Sequence, residues 1–145
     1  MTICELKAEE LDAALKLVWN VFLQYEAPEY SAEGVEEFRK SISDPKFLAT
    51  LRTYGAFQDE RLVGVIATRS GGAHIALFFV DGAYQWQGIG RALFERACED
   101  NPGNTMTVNS SPYAVPVYHR LGFTDTDAEQ VTNGLRYTPM VCKMR

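Results

Sequence analysis

The chain has 145 residues, 46% apolar and 23% charged, which suits one domain with a substantial core and excludes a disordered composition. A net charge of −5 and a pI near 5.0 exclude a nucleic-acid protein that works through a broad basic face. No run approaches the ~20 apolar residues of a membrane span, Met1-Thr2-Ile3-Cys4-Glu5 lacks the halves of a signal peptide, and Cys4, Cys98 and Cys142 have neither metal-ligand spacing nor the even number of a disulfide framework.

The expectation is therefore a soluble cytoplasmic domain over residues 1–145, with no metal, membrane or nucleic-acid partner. Leu11, Leu15, Val18 and Phe22 recur at helical spacing and predict an amphipathic helix over about Ala8 to Tyr25, broken by Ala27-Pro28. Ser31 is an N-cap for a second helix that aligns Val35, Phe38 and Ile42 and stops at Asp44-Pro45. Phe47 to Leu51, Gly55 to Gln58 and Leu62 to Thr68 read as strands, the last two joined at Asp59-Glu60. Ser70-Gly71-Gly72 is a turn, and His74 to Val80 is a continuous apolar strand of the kind buried on both faces.

A glycine-bearing loop then leads into a helix over about Gly88 to Glu99, with Ala92, Leu93 and Ala97 inward. Thr105 to Asn109 is a further strand, and a short helix over about Tyr113 to Leu121 is closed by Gly122. One or two final strands follow Phe123. Helices, a meander, then strand-helix-strand-helix-strand make a mixed α/β domain around one sheet.

Charge is uneven along this order. Residues 1–60 hold twelve acids and six bases, and between Lys16 and Arg39 there are five acids and no base: Glu26, Glu29, Glu33, Glu36 and Glu37. The stretch is either a solvated helix face, with Glu33 favoured by a helix dipole, or a negative rim for a cationic substrate.

The loop Gln85-Trp86-Gln87-Gly88-Ile89-Gly90-Arg91 carries the chemistry. Its glycines let backbone approach a ligand, and amides from about Gln87 to Arg91 become the unpaired donors of a helix N-terminus, a site for a pyrophosphate. A dinucleotide fingerprint fails because Leu93 stands where a third Gly or Ala is needed, and a P-loop fails because Gly90-Arg91-Ala92 replaces Gly-Lys-Ser/Thr.

Gln85, Gly88 and Gly90 after a buried strand instead match the Gln/Arg-x-x-Gly-x-Gly/Ala loop of the GNAT superfamily of acetyltransferases. The segment Tyr113-Ala114-Val115-Pro116-Val117-Tyr118-His119-Arg120-Leu121-Gly122-Phe123 resembles a second block of that family, Ala-x-x-x-Tyr-x-x-x-Gly-Phe, at the usual separation. The resemblance spans nearly the whole chain. It implies a central mixed, mostly antiparallel twisted sheet flanked by helices, and transfer of an acetyl group from acetyl-CoA to a primary amine by direct attack in a ternary complex.

Carried over residue by residue, Phe79 and Val80 would offer backbone groups to the pantetheine arm, and Gln85, Gln87, Gly88, Ile89, Gly90 and Arg91 would hold the pyrophosphate. Tyr118 matches the tyrosine that protonates the leaving thiolate; as a residue it could equally be a core aromatic. Many members carry Asn seven residues before that tyrosine. Ser111 stands there in this chain and Asn109 two residues earlier, so either is a candidate cofactor contact, and Ser111 could instead cap the short helix. For a general base the resemblance points to His74, near the start of the buried strand, or to Glu26, after the first helix. The acceptor is an amine, with a cationic small molecule favoured by the acidic stretch, and a homodimer is compatible with the family. A different reading is a non-catalytic acyl-CoA-binding or sensing module.

Overall fold

A computed structural model describes residues 1–144; the last residue of the expected domain and tail, Arg145, lies outside the described residues. A short β1 (Thr2–Glu5) leads to α1 (Leu11–Val21), which buries Ala14, Val18 and Val21. The predicted helix is thus one α-helix with altered ends: a 3-10 turn at Ala8–Glu10 and a π-helical turn at Phe22–Glu26. The Ala27 N–H donates to the Phe22 carbonyl five residues back, and Pro28 beyond it has no N–H with which to extend the ladder. Glu26 follows Phe22 by four residues and so continues along the face that α1 buries.

Helix α2 (Ala32–Ser41) starts as expected, the Ser31 hydroxyl accepting from the Gly34 N–H at 3.3 Å. The expected strand at Phe47 to Leu51 is instead a helix, α3 (Pro45–Ala49). Asp44 accepts from the Lys46 N–H at 2.9 Å and Pro45 occupies the first turn, so this Asp-Pro pair begins a helix as well as ending one. β1 escaped the sequence reading because four residues are too few to display a period.

β2 (Arg52–Gln58) and β3 (Arg61–Arg69) form a hairpin through Asp59 and Glu60, both at positive φ as a type I′ turn requires. β4 (His74–Val80), α4 (Ile89–Glu99), β5 (Thr105–Ser110) and α5 (Val115–Leu121) follow, then β6 (Thr124–Asp125), β7 (Gln130–Thr132) and β8 (Leu135–Lys143). The tail therefore supplies three strands, one or two having been expected. The strands run in the order β1-β2-β3-β4-β5-β8-β6, with β7 folded back on β8. Every pairing is antiparallel except β4 with β5. The expected mixed, mostly antiparallel sheet with helices on both faces is what forms. Among the described residues no helix is long and apolar enough to cross a membrane.

Two features of β4 shape the molecule. Ala67 pairs with Leu77 and Thr68 with Ile75, which leaves Ala76 as an unpaired bulge residue. The bulge resets the alternation: Ile75, Phe78 and Val80 pack toward the core under α4 and α5, whereas Leu77 and Phe79 pack toward α1 and α2. A continuous apolar run is needed because each face of β4 meets a core. The second feature is that β4 pairs with β5 only at His74–Thr107 and Ile75–Val108. Beyond that point the two strands separate and open a wedge in the sheet.

The β7–β8 turn closes one side of this wedge against α2. A Cβ on Gly34 would collide with the carbonyl of Gly134, a backbone atom that cannot swing aside. Gly34→Ala should therefore push the hairpin off α2 and destabilise the fold by about 1–3 kcal/mol. Urea unfolding checks the stability.

Candidate active site

The wedge holds two cavities. One, of about 270 Å3, lies between the C-terminal end of β4, the glycine loop and α5. The other, of about 370 Å3, lies between the end of α1, α2, β4, β5 and the start of β8. Glu26, Phe78, Phe79, Ala114 and Tyr118 belong to the walls of both.

The first cavity is built to take an anion. Gly88, at φ 83°, caps α4 in the left-handed region, and no side chain caps the helix. The first-turn amides of Ile89, Gly90 and Arg91 have no carbonyl a turn earlier to accept them, and the space beside Gly88 is open. Two guanidinium groups flank the mouth: Arg91 Nη2 donates to the Arg120 carbonyl at 3.2 Å, and Arg120 stacks on the exposed Trp86 ring at 5.0 Å. Tyr25 and Tyr113 stack at 5.2 Å to roof the same cavity. An uncapped helix end with guanidinium groups beside it fits the phosphates of a CoA thioester.

Of the residues expected to meet that ligand, Phe79, Val80, Gln85, Gly88, Ile89, Gly90 and Arg91 line this cavity; Gln87 does not, and its side chain is exposed. Gln85 Nε2 donates to the Val80 carbonyl at 3.2 Å, fastening the loop to the strand end. The Asp81 N–H donates to the Val63 carbonyl, so alternation turns the polar groups of Phe79 toward β3 and those of Phe78 and Val80 toward the wedge. Phe79 thus lines the cavity while the backbone groups that face the wedge are those of Phe78 and Val80.

Gly90 has room for a Cβ, which would sit 3.6 Å from the Phe78 ring. The γ-methyls of Gly90→Val would project into the amide cradle. We expect binding of a CoA thioester to weaken about tenfold or more while the unfolding midpoint hardly moves. An unchanged dissociation constant would remove backbone approach from the account.

At the junction, burial pushes the Glu26 carboxyl up to about 7, with the Ser111 hydroxyl pulling it partly back. Tyr118 is 5% exposed and packed between Phe78 and Phe123 at 5.9 and 5.3 Å. Burial, and then the negative charge of Glu26, raise its hydroxyl far above the usual phenol range. Tyr30 is raised in the same way by burial and Glu26. Asn109 and Ser111 both line the second cavity, and Ser111 Oγ also accepts from the Ala114 N–H at 3.3 Å ahead of α5.

His74 stands apart. It lines neither cavity; its Nδ1 lies 2.8 Å from Thr107 Oγ1 where β4 and β5 still pair, and burial with the charge of Arg69 holds it down at about 4. The structure therefore does not bring it together with Glu26 and Tyr118. Glu37, which the sequence offered only as part of the acidic stretch, lines the second cavity together with Arg136, and Arg120 lines the first; neither arginine stood out as a site residue in the sequence.

Residues 26–144 match the model of the acetyltransferase (GNAT) domain. The chain belongs to the GNAT family. No curated protein sequence matches it. Among solved structures it is similar to a GCN5-related N-acetyltransferase from Rhodopseudomonas palustris (TM-score 0.83, 20% identity, 99% of this chain and 95% of that one). It is also similar to the PaiA N-acetyltransferase from Thermoplasma acidophilum in complex with coenzyme A (TM-score 0.78, 20% identity, 99% of both chains). A third is FeeM, an N-acyl amino acid synthase from uncultured soil microbes (TM-score 0.72, 18% identity, 98% and 90%). These likenesses describe the GNAT fold, and membership makes the chain an acyltransferase of that family.

Proposed function

We propose that this GNAT protein is an N-acetyltransferase that moves the acetyl group of acetyl-CoA to a primary amine by direct attack, residues 1–145 acting as one unit. The observation that carries the reading is the shared wall of the two cavities, which presents a carboxyl titrating near 7 and a buried phenol to the same point. Acetyl-CoA, when bound, supplies the activated acetyl thioester.

The chain's own groups do the rest. First-turn amides of α4, with Arg91 and Arg120, hold the phosphates, and the wedge-facing backbone of Phe78 and Val80 orients the arm. Glu26 takes the proton that the amine must lose, directly or through water; a base titrating near the working pH serves this best. Tyr118 stays protonated at every working pH and gives its proton to the departing thiolate. Ser111 steadies the Glu26 carboxylate. None of the three cysteines lines either cavity, and burial pushes Cys98 up to about 11, which favours direct attack over an acetyl-enzyme.

Calorimetric titration with acetyl-CoA, with dephospho-CoA alongside, followed by thiol release across an amine panel, tests the reading. Micromolar binding and amine-dependent thiol release are expected. Tight binding without release for any amine would make the chain a CoA-binding module instead.

A further inference from the structure

We propose that the acceptor is a diamine, one amine delivered to Glu26 and Tyr118 and the second, as an ammonium, held by Glu37 in the wall of the same cavity. This rests on the transfer reading above. Glu37 is half-buried and lines that cavity, while its neighbour Glu36 faces solvent and is spent on Arg39. Among the described residues neither Glu26 nor Glu37 forms an ion pair.

The basic side chain in the same wall, Arg136, is already neutralised. Its Nε donates to Glu129 at 3.0 Å, its Nη1 to the Glu29 carbonyl at 3.1 Å, and the Glu29 carboxylate lies at 3.7 Å. Among the described residues the cavity thus offers two carboxyl groups without an ion-pair partner and no free cation. An acceptor carrying its own carboxylate would find only repulsion.

The same wall carries aromatic rings. Phe38 stacks on Phe22 at 4.0 Å and tilts against Phe79 at 5.9 Å, and Tyr137 also lines the cavity. Such a wall suits a methylene chain, and ring faces also attract an ammonium. Two carboxyl groups in the wall of one ring-lined cavity suit an alkyl chain that carries two cationic groups.

The test compares α,ω-diaminoalkanes from propane to hexane with n-alkylamines of matching length, using thiol release at saturating acetyl-CoA. The best diamine should exceed its monoamine in kcat/KM by about 10- to 100-fold, as a charge-assisted bond in a partly buried site implies. Glu37→Gln, an isosteric change, should collapse that ratio toward one, and Glu37→Asp should keep part of it.

A ratio near one in the unaltered protein, or one preserved in Glu37→Gln, overturns the proposal while leaving transfer intact. Calorimetry of the same diamines on the CoA complex separates the two failures. Glu37-dependent binding without any thiol release would sink the transfer reading and leave the acceptor class standing. No diamine binding and no release would overturn both.

Discussion

Glu26→Gln should give a protein that is more stable and nearly inactive at once. The carboxyl titrates at about 7 in the fold against a usual 4.5 because burial penalises its charge. A group whose folded pKa is raised contributes most below the unfolded value, and that contribution is lost as pH rises through the folded one. Stability should therefore fall from about pH 4.5 to 7 and level off above. The shift corresponds to about 3 kcal/mol at pH 8. Gln keeps the shape without the charge, so it should recover most of that at pH 8 and little at pH 4.5. Urea unfolding at the two pH values measures the difference, and an equal effect at both would mean that Glu26 is not held against its charge.

Activity should move the other way. Removing a general base costs about 10²- to 10⁴-fold in kcat/KM. The pH profile should also lose its break near 7, leaving only the slope set by the acceptor amine's own ionisation. Loss of rate with the break retained would assign the base to another group. Both outcomes together would mean that stability is given up at the position where a general base needs a half-ionised carboxyl.

The parts of this site legible in the sequence are those whose cause is local. The glycine loop announces itself because Gly88 needs a left-handed backbone, and Gly122 closes α5 for the same reason. β4 shows as one apolar run because both its faces meet cores. What was not legible depends on distant partners. Glu36 and Glu37 are indistinguishable as text; only the β7–β8 hairpin, about a hundred residues on and locked to α2 through Gly34 and Gly134, encloses one of them. The sequence left His74 and Glu26 open as bases, because what separates them is burial, which raises a carboxyl toward neutrality and lowers an imidazole away from it. Asn109 and Ser111 looked like alternatives, yet strand alternation at one and the turn into α5 at the other bring both to one cavity.

Tyr118→Phe should lower kcat by about 10²- to 10³-fold and leave the acetyl-CoA KM within about twofold. The ring is what packs against Phe78 and Phe123, and Phe preserves it. The unfolding free energy should accordingly change by less than about 1 kcal/mol. A packing role and an acid role differ in one further respect. If the hydroxyl protonates the departing thiolate, its loss matters most when the leaving thiol is strongly basic. An acetyl aryl thioester, whose thiol leaves without help, should close most of the gap between the Phe variant and the unaltered protein, whereas acetyl-CoA should not. An equal deficit with both donors would show that the hydroxyl serves the geometry of the wedge and not the proton.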